Sequence, residues 1–211
     1  MTDFLIQDDD VLLVVDVQRD FCQGGALAVP NGDAVVPLVN DLARRFPHTI
    51  LTQDWHPAVH QSFASSHAGR KPFDVIEVSY GSQVLWPDHC VQGTDGAAFH
   101  DALEVPQAEL IVRKGYDPTI DSYSAFYEND RRTPTGLAGY LQERGFKRVF
   151  LAGLALDFCV RYSAEDARKR GFDAIVIEDA CRAIDMNGSL AETWQSFADC
   201  GVTAIGRSSL V

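Results

Sequence analysis

The sequence has no apolar run of membrane-spanning length, no internal repeat, no low-complexity segment and no linker rich in Pro, Gly or Ser. The first absence argues against a membrane partner. The others favour one domain over residues 1–211, long enough for a sizeable core. Base is scarce: 18 Lys and Arg stand against 30 Asp and Glu, a net charge of −12. That balance argues against nucleic acid and anionic lipid surfaces. The stretch Met1–Asp10 carries acid where an export signal carries base. Cysteines are few, odd in number and scattered, at 22, 90, 159, 181 and 200. The expectation is reduced thiols in a cytoplasm rather than a disulfide framework. No Gly-x-Gly-x-x-Gly is present, which weakens a nucleotide-binding reading.

What is present alternates. Val11–Val15, Thr49–Trp55, Glu109–Lys114, Val149–Ala152, Asp173–Glu178 and Val202–Ile205 read as strands. The first is continuously apolar, as in strands buried on both faces. Asp33–Phe46, Thr135–Arg144, Cys159–Lys169 and Ser189–Cys200 read as helices, the last with Ser189 as N-cap and Glu192 three on. The expected fold is α/β, with a mainly parallel sheet and right-handed crossovers. From His56 to about Ala108 the pattern lapses, with only Asp74–Ser79 reading as a short strand. Loops this long inside a domain are usually functional.

Ligands in such sheets bind beyond the carboxyl ends of the strands. Asp16, Asp54, Lys114 and Cys159 each sit at or just past such an end. Cys159 is placed in the first turn of a helix after a turn at Gly153, where free N–H groups favour a thiolate. Each residue alone has an inert alternative: a packed thiol, a turn-capping carboxylate, a snorkelling lysine. Together they suggest a nucleophile, a proton acceptor and a cation. All six histidines precede Cys159, which excludes the papain-type order. Asp54 and His56 share one face of a strand, and His89 could add a third ligand. Two imidazoles and a carboxylate suit a divalent transition metal. His60 and Ser62 lie near enough to extend the set, and spacing does not choose between them.

Five segments taken together resemble the isochorismatase-like cysteine hydrolases, and within them the nicotinamidases (pyrazinamidases). They are Asp16–Phe21, Gln53–Pro57, Trp86–Cys90, Arg113–Gly115 and Gly153–Val160. The resemblance implies six parallel strands with helices on both faces, a Rossmann-like three-layer sandwich. It implies conversion of a small heteroaromatic amide, nicotinamide, to nicotinate and ammonia in NAD salvage, with pyrazinamide also accepted. It places a triad on Asp16, Lys114 and Cys159, and metal ligands on Asp54, His56 and His89, with Ser62 at the fourth position. Zinc or iron is the expected ion, with manganese a further option. Phe21, Trp86 and Tyr123 become ring contacts, and the N–H groups of Ala155 and Cys159 an oxyanion hole. A cis peptide is implied at Leu154–Ala155. Leu156 departs from the Thr found in many nicotinamidases. A homo-oligomer is left open.

Overall fold

The computed structural model describes residues 4–211, so Met1–Asp3 of the acidic N-terminal stretch lie outside the described residues. Strands β1 (Asp10–Val15), β2 (His48–Asp54), β5 (Leu110–Lys114), β6 (Arg148–Leu154), β7 (Asp173–Arg182) and β8 (Thr203–Ile205) form one sheet. All its pairings are parallel, in the order β5-β2-β1-β6-β7-β8. The chain winds outward from β1 in one direction and from β6 in the other. The β1/β6 boundary is therefore the switch point where such folds bind ligands.

The apolar strands divide their residues by parity. Leu12, Val14, Phe150, Ala152 and Ile175 pack with Val36, Val39 and Leu42 of helix α1 (Val36–Arg45). Val11, Leu13, Val15, Val149, Leu151 and Val176 face the other way. They meet helices α2 (Leu137–Glu143), α3 (Arg161–Lys169) and α4 (Ser189–Cys200) through Leu141, Ala164 and Phe197. This gives three layers with a core on each side of the sheet. No described helix is long and apolar enough to cross a membrane.

Several boundaries differ from expectation. The 33–46 segment opens with a 3-10 turn, Gly32–Val35, and the α-helix starts only at Val36, with Pro37 in its first turn. The lone strand expected at Asp74–Ser79 is a hairpin, β3 (Val75–Val78) with β4 (Gly81–Val84). Ser189 is not an N-cap: Gly188 holds that place, and the Ser189 hydroxyl donates to Asp157 at 2.5 Å. The turn expected at Gly153 comes later, because β6 runs on to Leu154. A π-helical turn, Leu156–Val160, then precedes α3, so Cys159 lies on that turn and not on the α-helix.

Gly153 stays in the strand for a steric reason. It pairs with Val15, has φ +124°, and sits where the β6–β7 register shifts. A Cβ there would lie 2.1 Å from the Val15 carbonyl oxygen. Only glycine lets the two strands approach this closely at the switch point. Gly153→Ala is expected to destabilise the fold by more than about 3 kcal/mol. Urea unfolding would show it, and a midpoint matching wild type would refute this account.

Candidate active site

Three strand ends and the π-helical turn bring Asp16, Lys114, Asp54 and Cys159 together. The Lys114 ammonium is fully buried. It lies 2.8 Å from Asp16 Oδ2, 3.0 Å from Asp54 Oδ1 and 3.1 Å from the Ser122 carbonyl oxygen. Its fourth neighbour is Cys159 Sγ, at 3.5 Å. Burial opposes the lysine's charge, but the two carboxylates outweigh it and hold its pKa well above the usual range.

Asp16 has φ +48°, a conformation that aspartate tolerates better than most residues. Thr52, one β-pleat before Asp54, holds it twice. The Asp16 N–H donates to Thr52 Oγ1 at 3.0 Å, and that hydroxyl donates to Asp16 Oδ1 at 2.6 Å. Oδ2 has the lysine beside it and no hydrogen-bond donor well aligned to it, so it retains accepting capacity. Burial raises the Asp16 pKa, and Lys114 only partly offsets that. Burial also pushes the Cys159 thiol well up, again against Lys114. Burial thus works against the expected thiolate, while Lys114 works for it.

Asp54 faces both ways. Its Oδ2 lies 3.0 Å from His56 Nε2 and 3.3 Å from His89 Nε2. His56 Nδ1 donates to the Gly115 carbonyl at 2.9 Å and His89 Nδ1 to the Pro87 carbonyl at 2.8 Å. Each ring thus commits Nδ1 to a backbone carbonyl and turns Nε2 towards the same carboxylate oxygen. Asp54, His56 and His89 offer ligand atoms that all lie within 4.8 Å of one another, a set able to hold a metal ion. Burial opposes charge on Asp54, yet His56 and Lys114 hold its pKa well below the carboxylate range. His56 is raised, because Asp54 outweighs the effect of its own burial. Gly115 has φ +65°, and a Cβ there would strike the His56 ring at 2.4 Å.

The same proton test separates the other histidines. His60 Nε2 donates to the Asp117 carbonyl at 2.8 Å, while Nδ1 accepts the Ser62 hydroxyl at 2.7 Å and the Ser62 N–H at 3.1 Å. Ser62, expected at the fourth ligand position, instead spends its hydroxyl proton on His60. His60 has no free lone pair. Cys22, Asp33 and His100 also cluster, but His100 Nδ1 accepts the Ala102 N–H at 3.1 Å. Its Nε2 then carries the proton, the wrong tautomer for ligation.

Phe21, Trp86 and Tyr123 line one small cavity of about 30 Å³ with Asp54, His89, Ala155 and Cys159. The Trp86 indole N–H donates to the Tyr123 hydroxyl at 3.1 Å. Phe158 packs edge-on to both rings, at centroid distances of 5.1 and 5.6 Å. The Leu154–Ala155 peptide is cis. Sequence reasoning missed Thr52, Asp121, Ser122, Phe158, Leu27 and Ile184. Thr52 left a signal: a hydroxyl inside a buried strand needs a partner. Gln18 lay in a quoted segment without a role, and it brackets Asp54. Its amide donates to the Asp54 carbonyl and its Oε1 accepts the Asp54 N–H, both at 2.8 Å.

Comparison with known proteins bears on the whole chain. A nicotinamidase of Acinetobacter baylyi is 54% identical over 200 residues, covering 95% of this chain and 94% of that protein. A solved Acinetobacter baumanii nicotinamidase/pyrazinamidase superposes with a TM-score of 0.95 at 53% identity, covering 96% and 98% of the two chains. A Pyrococcus horikoshii pyrazinamidase solved with zinc has a TM-score of 0.77 at 34% identity, covering 94% and 99%. The profile of the Isochorismatase domain matches residues 10–208. A six-stranded parallel sheet with this cluster at its switch point, matched along nearly its full length, places the chain in the isochorismatase family.

Proposed function

We propose that the protein is a nicotinamidase, hydrolysing nicotinamide to nicotinate and ammonia and accepting pyrazinamide. The observation that carries this is the buried Lys114 ammonium, which joins the Asp16–Cys159 pair to the Asp54–His56–His89 cluster inside an aromatic slot. The Acinetobacter relatives support the substrate. One domain over residues 1–211, acting on a small amide in the cytoplasm, belongs to the same reading.

In it, Asp16 takes the Cys159 proton through the accepting capacity left on Oδ2, and Lys114 stabilises the thiolate formed. The sulfur attacks the carboxamide carbon. The backbone N–H groups of Ala155 and Cys159 hold the developing oxyanion; one such donor is typically worth about 3–4 kcal/mol. Asp16 returns the proton to the departing ammonia, leaving a Cys159 thioester that water cleaves. Thr52 keeps Asp16 facing the sulfur. Phe21, Trp86 and Tyr123 enclose the ring, and their aromatic faces favour a flat amide. Asp54, His56 and His89 would hold one divalent transition metal, zinc or iron foremost. The zinc of the Pyrococcus relative supports this. When bound, the ion supplies a Lewis-acid contact for the pyridine nitrogen.

Purified protein should release ammonia from nicotinamide. Cys159→Ala should abolish this with the fold intact, and Asp16→Asn should do nearly as much. Thr52→Val should lower kcat on the order of tenfold or more, by freeing the Asp16 carboxylate to turn. Turnover by Cys159→Ala near the wild-type rate would remove the nucleophile from this account.

A second outcome concerns the metal. Metal analysis should find about one transition-metal ion per chain, and less in His89→Ala. Benzamide has the shape of nicotinamide without the ring nitrogen, so it should be a much poorer substrate. His56→Ala should lower kcat/KM for nicotinamide about a hundredfold or more and barely change the benzamide rate. Equal fractional losses for the two amides would assign the ion to the chemistry or the fold instead.

A further inference from the structure

One aromatic side chain sits on a backbone that does not suit it. Residues Lys71–Asp74 form a β-turn, closed by the Asp74 N–H donating to the Lys71 carbonyl at 3.1 Å. Pro72 takes the second position of that turn, and Phe73 takes the third with φ +74°. Proline followed by a positive φ is the pattern of a type II turn, which calls for glycine or asparagine at the third position. A bulky side chain in the left-handed region is an outlier that costs stability. Burial does little to offset the cost, because Phe73 remains 51% exposed.

What the Phe73 ring does touch is Trp86. The two rings meet edge to face, with centroids 6.1 Å apart and planes at 88°. The main chain joins them as well. The Phe73 N–H donates to the Leu85 carbonyl at 2.6 Å, and the Leu85 N–H donates to the Asp74 carbonyl at 2.8 Å. These bonds carry the β3–β4 hairpin one step further and tie the turn to the residue before Trp86. Trp86 is a wall of the substrate cavity. Its other ring neighbours are Phe158, edge-on at 5.1 Å, and Tyr123, whose hydroxyl accepts the indole N–H at 3.1 Å. Both of these line the cavity themselves, whereas Phe73 does not and supports the indole from behind.

We propose that Phe73 is a positioning residue for substrate binding: the strained turn is kept because its ring braces Trp86 against the aromatic ring of the bound amide. The proposal rests on the amidase reading above. The brace touches neither the substrate nor the reacting atoms. Its effect therefore falls on how tightly the ring is held, and on KM rather than kcat. The strain makes this role separable from folding. Glycine or asparagine at position 73 suits the turn better than phenylalanine, so either one relieves the backbone while removing the brace. A residue kept only for the fold would behave in the opposite sense, with stability lost and KM spared.

The test compares metal-loaded wild type, Phe73→Gly, Phe73→Asn and Phe73→Tyr with nicotinamide. In Phe73→Gly and Phe73→Asn, KM should rise about threefold to tenfold, the range for losing one edge-to-face aromatic pair. Their kcat should stay within about twofold of wild type, and their urea midpoints should not fall. Phe73→Tyr keeps the ring and should keep the wild-type KM. An unchanged KM in Phe73→Gly and Phe73→Asn overturns the proposal. So does a KM raised equally in Phe73→Tyr. A lower midpoint together with a kcat loss as large as the rise in KM also overturns it, since a loosened fold would explain all three. A second readout needs no turnover. With Trp55→Phe and Trp194→Phe in place, Trp86 is the sole tryptophan. Acrylamide quenching of its fluorescence should increase on Phe73→Asn and not on Phe73→Tyr; equal quenching in all three backgrounds removes the brace. Wild-type protein that releases no ammonia would instead sink the amidase reading, and the quenching would then decide the brace alone.

Discussion

A lysine ammonium with no access to water is the constraint on which the site depends. Removing such a charge from solvent costs several kcal/mol even after relaxation. Lys114 offsets that cost with two carboxylates and a carbonyl, and deleting any one of them would weaken that compensation. Asp16, Asp54 and Ser122 come from separate segments, so satisfying one nitrogen aligns three parts of the chain. The sulfur completes the set at 3.5 Å. Catalytic geometry and folding therefore share the same contacts, and the sheet is the frame that makes them simultaneous.

The site also divides its work among oxygens of the same type. Asp54 presents one oxygen to Lys114 and the other to two imidazoles. Asp16 gives one to Thr52 and keeps the other beside the lysine. Asp121 is held from behind by Gln83 and Ser122. Burial alone would make the three carboxylates alike; their neighbours make them differ. The histidines are sorted in the same manner, by the partner that each ring nitrogen finds. That is why His56 and His89 are ready to bind a cation, while His60 and His100 are not.

Much of this was legible in the sequence because charge at the end of an apolar strand is costly and therefore informative. Asp16 after Val11–Val15 and Lys114 after Leu110–Arg113 are such cases, and the parallel sheet followed from the same runs. The turn that carries Cys159 was placed less well. Gly153 looked like a stop because glycine usually marks one, whereas here it permits a close approach within the sheet. The Ser189 signal matched a capping box, but a buried Asp157 nearby had the stronger need of its hydroxyl. Asp121 and Gln83 carried no local signal at all. Their meaning depends on a hairpin and a long loop meeting in space.

The claim of Asp157 on the following segment sets an order of assembly. Its carboxylate, two residues before Cys159, accepts the Ile184 N–H at 3.0 Å and the Asp185 N–H at 2.8 Å as well as the Ser189 hydroxyl. None of these donors exists for a chain still short of residue 184, and the set is complete only at residue 189. During synthesis, when chains lengthen by roughly 5–20 residues per second, Cys159 emerges well before the groups that lock its turn. The thiol is therefore an ordinary cysteine on the ribosome and gains its fixed place only as the last quarter of the chain docks. A truncation far from the cavity, at the final helix, would reach Cys159 through this carboxylate.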